Sequence, residues 1–190
     1  MRKTLGFLLV LTGLAMAASY SQAEEFRLRV MTFNTGSGSF MDLTPDGIRR
    51  IADITIDNRV DIVGLQEIDI GSDWYGGRDH VAELQVLLAD RGYPMFPYVT
   101  KNVPYFNGYQ VHALLSRWPI IDSENTWIAS SPGWNIDRIT VEPVPGLALD
   151  FWNCHFPVNK RGLDYLVRDC FEHVAARPNP SVFMGDFNFG

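Results

Sequence analysis

Val60-Asp61-Ile62-Val63-Gly64-Leu65-Gln66-Glu67 decides how the rest of the chain is read. Val60 to Leu65 is a short apolar run, the pattern of a buried strand in a parallel sheet. Gln66 and Glu67 then place an amide and a carboxylate at its carboxyl end. The arrangement recurs. Val30-Met31-Thr32-Phe33-Asn34 ends on Asn34, and Phe151-Trp152-Asn153-Cys154-His155 ends on His155. Phe183-Met184-Gly185-Asp186-Phe187-Asn188 ends on Asp186 and Asn188. In α/β sheets ligands gather beyond the carboxyl ends of strands, so these groups are expected to converge on one site. Each has a plainer reading alone: Asn34 a turn residue, Glu67 a solvated loop acid, His155 a structural histidine. Four matching positions together favour the site. At period two, Asp186 and Asn188 are expected to share a face, with Phe187 on the other.

Helical patterns lie between these strands. Thr44-Pro45 reads as an N-cap with a first-turn proline before Ile48, Ile51, Ala52 and Thr55. Asp79 is placed to cap a helix carrying Val81, Leu84, Leu87 and Leu88, which Gly92 ends. Leu163, Leu166, Val167, Cys170, Phe171 and Val174 form the cleanest amphipathic stripe. Tyr93–Tyr109 reads as a strand with loops, Val111–Leu115 and Ser181–Gly185 as buried strands. Ile136–Val144 and Leu147–His155 form a hairpin around Pro145-Gly146. Strands alternating with helices, plus one hairpin, predict a layered α/β domain with a mixed sheet and no second domain.

The 190 residues, 46% hydrophobic and 13% aromatic, suffice for one globular core and exclude a disordered chain. Two cysteines exclude a disulfide scaffold or a Cys-rich zinc module. Residues 1–23 read as a secretory signal: Arg2 and Lys3, an apolar run from Leu5 to Leu14, then Ser21-Gln22-Ala23 as a cleavage site. The domain is then 24–190, secreted or periplasmic, without a membrane span, and a monomer is expected. Cleavage would leave 14 basic and 22 acidic residues, a net charge of −8. That balance argues against a protein that coats nucleic acid through many phosphate contacts. In an exported chain Cys154 and Cys170 can pair or remain buried thiols.

Glu67 and Asp186 are hard oxygen donors that suit Mg²⁺, with Mn²⁺ or Ca²⁺ as alternatives, over zinc. Asn and His side chains donate well to phosphate oxygens. Together they fit in-line attack of water on a phosphoryl group. Gly36-Ser37-Gly38 lacks the third glycine and following helix of a dinucleotide fingerprint, and no Walker-type Lys follows it. Cys154 beside His155 gives a weaker alternative, a thiol enzyme.

Five motifs occur in order: Val30-Met31-Thr32-Phe33-Asn34, Asp61-Ile62-Val63-Gly64-Leu65-Gln66-Glu67-Ile68-Asp69, Leu114-Leu115-Ser116-Arg117-Trp118-Pro119-Ile120, Asn153-Cys154-His155 and Met184-Gly185-Asp186-Phe187-Asn188. Together they resemble the endonuclease/exonuclease/phosphatase superfamily, the deoxyribonuclease I-like fold. The resemblance implies a four-layer α/β sandwich of two packed mixed sheets flanked by helices. It implies a Mg²⁺-dependent phosphoesterase acting on nucleic acid, phospholipid or a small phosphoester. Glu67 would be the main metal ligand, with Asn34 supporting metal and phosphate. Asp186 would orient the attacking water, Asn188 bind the scissile phosphate, and His155 bond a phosphate oxygen. Arg138 matches an often basic position and would help bind phosphate, with a solvated strand-face arginine as the equal alternative. Tyr109-Gln110-Val111-His112-Ala113 departs from the Gly-Asn pair many members show, which leaves His112 a structural expectation. The family continues past Asn188 to another Asp and a terminal Asp-His pair, so the chain is expected to be C-terminally truncated and inactive alone. The alternative is a truncated or degenerate domain that binds phosphate or metal without turnover.

Overall fold

The computed structural model describes residues 26–36, 45–127, 135–157 and 163–188. The expected signal (1–23), the Thr44 cap and Ser37-Gly38 lie outside the described residues. Two four-stranded sheets face each other. The first has the order β1 (Val30–Asn34), β2 (Ile62–Ile70), β4 (Gly108–Ser116), β3 (Phe96–Tyr105). The second has β5 (Ile120–Trp127), β6 (Asn135–Val144), β7 (Leu147–His155), β8 (Ser181–Asp186). The β1/β2 and β7/β8 pairs are parallel and the others antiparallel.

Period two sorts each strand between two apolar layers. Ile62, Leu114, Ile139, Val141, Phe151 and Met184 meet between the sheets. Val63, Leu65, Ile68, Val111, Ala113 and Leu115 turn outward beneath α1 (Pro45–Asp57) and α2 (His80–Asp90). Those helices return Ile48, Ile51, Ala52, Val81, Leu84 and Leu88, the residues their spacing singled out. Asp79 caps α2, accepting from the Ala82 N–H at 2.9 Å. Over the second sheet, α3 (Leu163–Ala175) buries Leu166 and Cys170 against Ile136, Trp152 and Cys154. The result is the expected four-layer α/β sandwich. The sheets press close at Gly64, where an added Cβ would lie 2.9 Å from Met184 Sδ. Among the described residues no helix is long and apolar enough to cross a membrane.

Some elements differ from expectation. β5 carries Asp122 and Glu124, and its alternation is too polar to read as a strand; it survives as the edge of its sheet. β2 continues to Ile70, so Gln66 and Glu67 lie inside it and not at its end. β8 stops at Asp186, and Asn188 adopts a left-handed backbone with φ 49°. Asp186 and Asn188 therefore do not share a strand face. Cys154 and Cys170 are free thiols, both buried in the α3 layer. Phe171, expected on the buried stripe, is half exposed and meets Phe183 with ring centroids 5.5 Å apart.

Candidate functional site

The site begins with a fault in the β2/β4 ladder. Leu65 pairs with Ala113 and Ile68 with Val111, so Gln66 and Glu67 together oppose His112. That is a β-bulge, which bends a strand and re-aims its side chains. Glu67 takes φ 55°, a left-handed conformation unusual for a side-chain-bearing residue and worth about 1–3 kcal/mol of strain. Thr35, the residue just past β1, holds it. Its N–H bonds the Gln66 carbonyl at 2.9 Å, and its hydroxyl bonds the Gln66 and Glu67 carbonyls at 3.1 and 2.8 Å. Gln66 points between the sheets and donates to Asn153 Oδ1 at 2.6 Å, and Asn153 donates back to the Leu65 carbonyl at 3.0 Å. With Gln66 turned inward, Glu67 is left facing the cleft.

Both parallel strand pairs deliver their ends here. Asn34 lies beside Gln66 across β1/β2, and His155 lies beside Asp186 across β7/β8. Gly185 makes the second pairing possible, because a Cβ there would lie 2.2 Å from the Cys154 carbonyl oxygen. Asn34 Nδ2 donates to Glu67 Oε1 at 3.0 Å and to Asp186 Oδ2 at 2.8 Å. One amide thus ties acids from the two sheets, while its Oδ1 accepts from the Gly36 N–H at 2.8 Å. Gln110 donates to Glu67 Oε2 at 3.2 Å. His155 Nε2 stands 3.5 Å from Glu67 Oε1 and 3.8 Å from Asp186 Oδ2.

The shared amide keeps the two acid oxygens within about 6 Å of each other. At an effective dielectric of ~20, two like charges at that distance repel by roughly 3 kcal/mol. Among the described residues, His155 is the one ion-pair neighbour of either acid within 4 Å. Burial lowers the His155 pKa and His112 adds to that, against the opposing pull of Glu67 and Asp186. The donor set is hard oxygen with an unbalanced negative charge, which fits a divalent cation such as Mg²⁺. Glu67 would hold it. Among the described residues no three His, Cys, Asp or Glu side chains form a cage. Mg²⁺ typically takes one or two carboxylates and completes its shell with waters and substrate oxygens.

Asn34, Glu67, His155 and Asp186 are brought together. Asn188 stays adjacent, but its N–H bonds Asp186 Oδ1 at 3.0 Å and its amide donates to the Phe156 carbonyl at 2.6 Å. The expectation of Asn188 on the phosphate therefore meets an amide turned to the backbone. Arg138 is not brought to the cluster. It sits one residue out of phase with Asp137, so it faces α3 while Asp137 faces the other sheet. There it is 2% exposed and held by Asp122 at 2.7 Å, Glu124 at 3.3 Å and Asp150 at 3.4 Å. It is neither solvated nor free for phosphate. Cys154 also faces α3, and burial pushes its thiol pKa well above the ordinary value. Cys170 is likewise pushed up by burial, to about 12. A thiolate nucleophile has no support there. Gln110 and Thr35 were missed; Gln110 sits one strand position before the Val111–Leu115 run that reads as a buried strand.

No curated protein matches the chain. Among solved structures it is similar to an endonuclease/exonuclease/phosphatase family protein from Leptotrichia buccalis C-1013-b, with TM-score 0.65 and 16% identity over 85% of this chain and 67% of that one. A second, endonuclease/exonuclease/phosphatase from Beutenbergia cavernae DSM 12333, has TM-score 0.64 and 25% identity over 85% of this chain and 47% of that one. D. rerio TDP2 complexed with single strand DNA product has TM-score 0.63 and 18% identity over 86% of this chain and 61% of that one. The chain thus spans between about half and two-thirds of the length of these solved relatives. The sequence matches the Endonuclease/Exonuclease/phosphatase family over residues 31–190, and the chain belongs to that family.

Proposed function

We propose that the protein carrying this domain hydrolyses a phosphoester bond by in-line attack of water, using a divalent cation, Mg²⁺ first, at Glu67. When bound, the cation supplies Lewis-acid polarisation of a phosphoryl oxygen. The protein's own groups do the rest. Asn34 fixes the spacing of Glu67 and Asp186 through its shared amide. Gln110 orients the second Glu67 oxygen. Asp186 accepts a hydrogen bond from the attacking water and aims its oxygen at phosphorus. His155 Nε2 donates to a non-bridging phosphate oxygen as charge develops. Asn188 steadies Asp186 from the turn that follows it.

The observation that carries this reading is the Asn34 amide holding two carboxylates from opposite sheets, with no Lys or Arg paired to either among the described residues. Substrate class follows the TDP2 relative with its single strand DNA product, so nucleic acid is the first class to test. Residues 1–23 are proposed as an export signal, which a secretion reporter fused to them would test.

The function is tested by assaying the chain, and the protein encoded in its full reading frame, on DNA, RNA, sphingomyelin and small phosphodiesters. Hydrolysis by the protein of the full reading frame that stops with a chelator and returns with Mg²⁺ is expected. Hydrolysis indifferent to the chelator, or surviving both Glu67→Ala and Asp186→Ala, contradicts the assignment.

A further inference from the structure

His112 lies on β4 two residues after Gln110, so both side chains face the cleft between the sheets. It is also the residue that opposes the Gln66-Glu67 bulge. Its Nδ1 is 2.9 Å from Asp137 Oδ2 on β6, a contact that joins the two sheets. Asp137 is built as an acceptor: Asn125 and Asn135 donate to its other oxygen at 2.6 and 3.0 Å. Neutral His112 must therefore carry its proton on Nδ1 and leave the Nε2 lone pair bare. The pair is nearly sealed, with side chains 5% and 2% exposed. Yet Nε2 has no hydrogen-bond partner among the described residues and is not one of the buried unpartnered atoms, unlike both ring nitrogens of His80. A histidine kept for packing alone would not need one nitrogen fixed by an acid and the other left open. The His155 ring stands beside it, with centroids 6.3 Å apart.

We propose that His112, fixed by Asp137, is a positioning residue that sets the tautomer of His155 through a bridging water. That water donates one hydrogen to His112 Nε2 and the other to His155 Nδ1. Polar groups too far apart for a direct bond are commonly joined this way. With Nδ1 of His155 an acceptor, its proton must sit on Nε2, the nitrogen that faces Glu67 and Asp186. His155 then presents an N–H to a phosphate oxygen and not a lone pair, which would be repelled. The inference rests on the reading of His155 as the imidazole that faces phosphate.

Histidine ¹⁵N spectra of the full chain test it. The expected result is Nδ1–H for His112 and Nε2–H for His155 in the wild type. In folded His112→Leu, His155 should become a mixture of tautomers, while His112→Gln, which keeps an acceptor oxygen, should retain Nε2–H. Turnover in His112→Leu should fall by about tenfold or more at unchanged KM, the scale for partners that orient an active-site ligand. His112 protonated on Nε2 in the wild type, or a His155 tautomer indifferent to His112→Leu, overturns the inference. The wild-type spectrum decides even where the Leu variant does not fold. Failure of the wild type to hydrolyse any phosphoester would overturn the proposed function and leave the tautomer result standing.

Discussion

Two acid clusters lie about five residues apart along β7, the second of them completed by the first sheet, and they are neutralised in opposite ways. Around Arg138, the acids Asp122, Glu124 and Asp150 share Arg138, Arg177 and His173. Asp150 also accepts from Thr140 at 2.6 Å and Asn179 at 3.1 Å. Around Asn34, Glu67 and Asp186 have amides and one partly buried imidazole. The first cluster brings its own cations and needs nothing from solution. The second holds two acids together with uncharged donors, the arrangement on which the proposed cation site rests. Acidic residues alone do not mark a site; the identity of their partners does.

The contrast predicts opposite responses to substitution. Arg138→Met should cost the most stability, about 3–5 kcal/mol, because Asp150 stays buried with an uncompensated charge. Urea denaturation should show it, and a loss under 1 kcal/mol would mean Arg177 suffices for the cluster. Glu67→Gln should leave the midpoint unchanged or raised, since it relieves repulsion. Its turnover should drop on the order of 10²–10³-fold, the scale for removing an electrostatic stabiliser. Asn34→Ala should sit between these, with metal affinity or activity reduced about 10- to 100-fold, as for other groups that orient a ligand. A fall in stability without a fall in activity would make Asn34 a structural strap only.

The smallest effect separates the clusters by pH. His155 has a folded pKa below its ordinary value of 6.5. The unfolded chain therefore takes up the proton first, and this contribution to stability is lost as pH falls below about 6.5. Asp122 loses stability in the same direction but in a lower window: its hydrogen bond to Arg138 lowers its pKa, so its contribution lasts until pH falls below about 3.8. Melting curves of wild type and His155→Gln should diverge between pH 7 and pH 5. Parallel curves would contradict the burial of a neutral imidazole.

Much of the architecture was legible because it rests on periodicity. Ile48, Ile51, Ala52 and Thr55, and then Val81, Leu84 and Leu88, are the buried faces their spacing marked. The grouping of Asn34, Glu67, His155 and Asp186 was legible because four apolar strand runs lead into polar groups, although each of these alone reads as an ordinary turn or loop residue. What stayed hidden depends on pairing partners. The bulge at Gln66-Glu67 exists only against His112, and no local pattern announces a two-against-one register. Arg138 was misplaced because a one-residue phase decides which sheet face a side chain takes. Asn188 left its expected alternation because its N–H bonds Asp186 Oδ1 and turns the chain. Gln110, His112 and Asp137 act across sheets from positions distant in sequence.

The central claim is that Glu67 and Asp186 are held as an unbalanced pair for a divalent cation. Calorimetric titration of Mg²⁺ into the wild-type chain and into Glu67→Gln, both without substrate, tests it most directly. One bound ion in the wild type, lost or weakened by at least about tenfold in Glu67→Gln, is the predicted result. Equal binding by the two proteins, or no binding by the folded wild type, would contradict it.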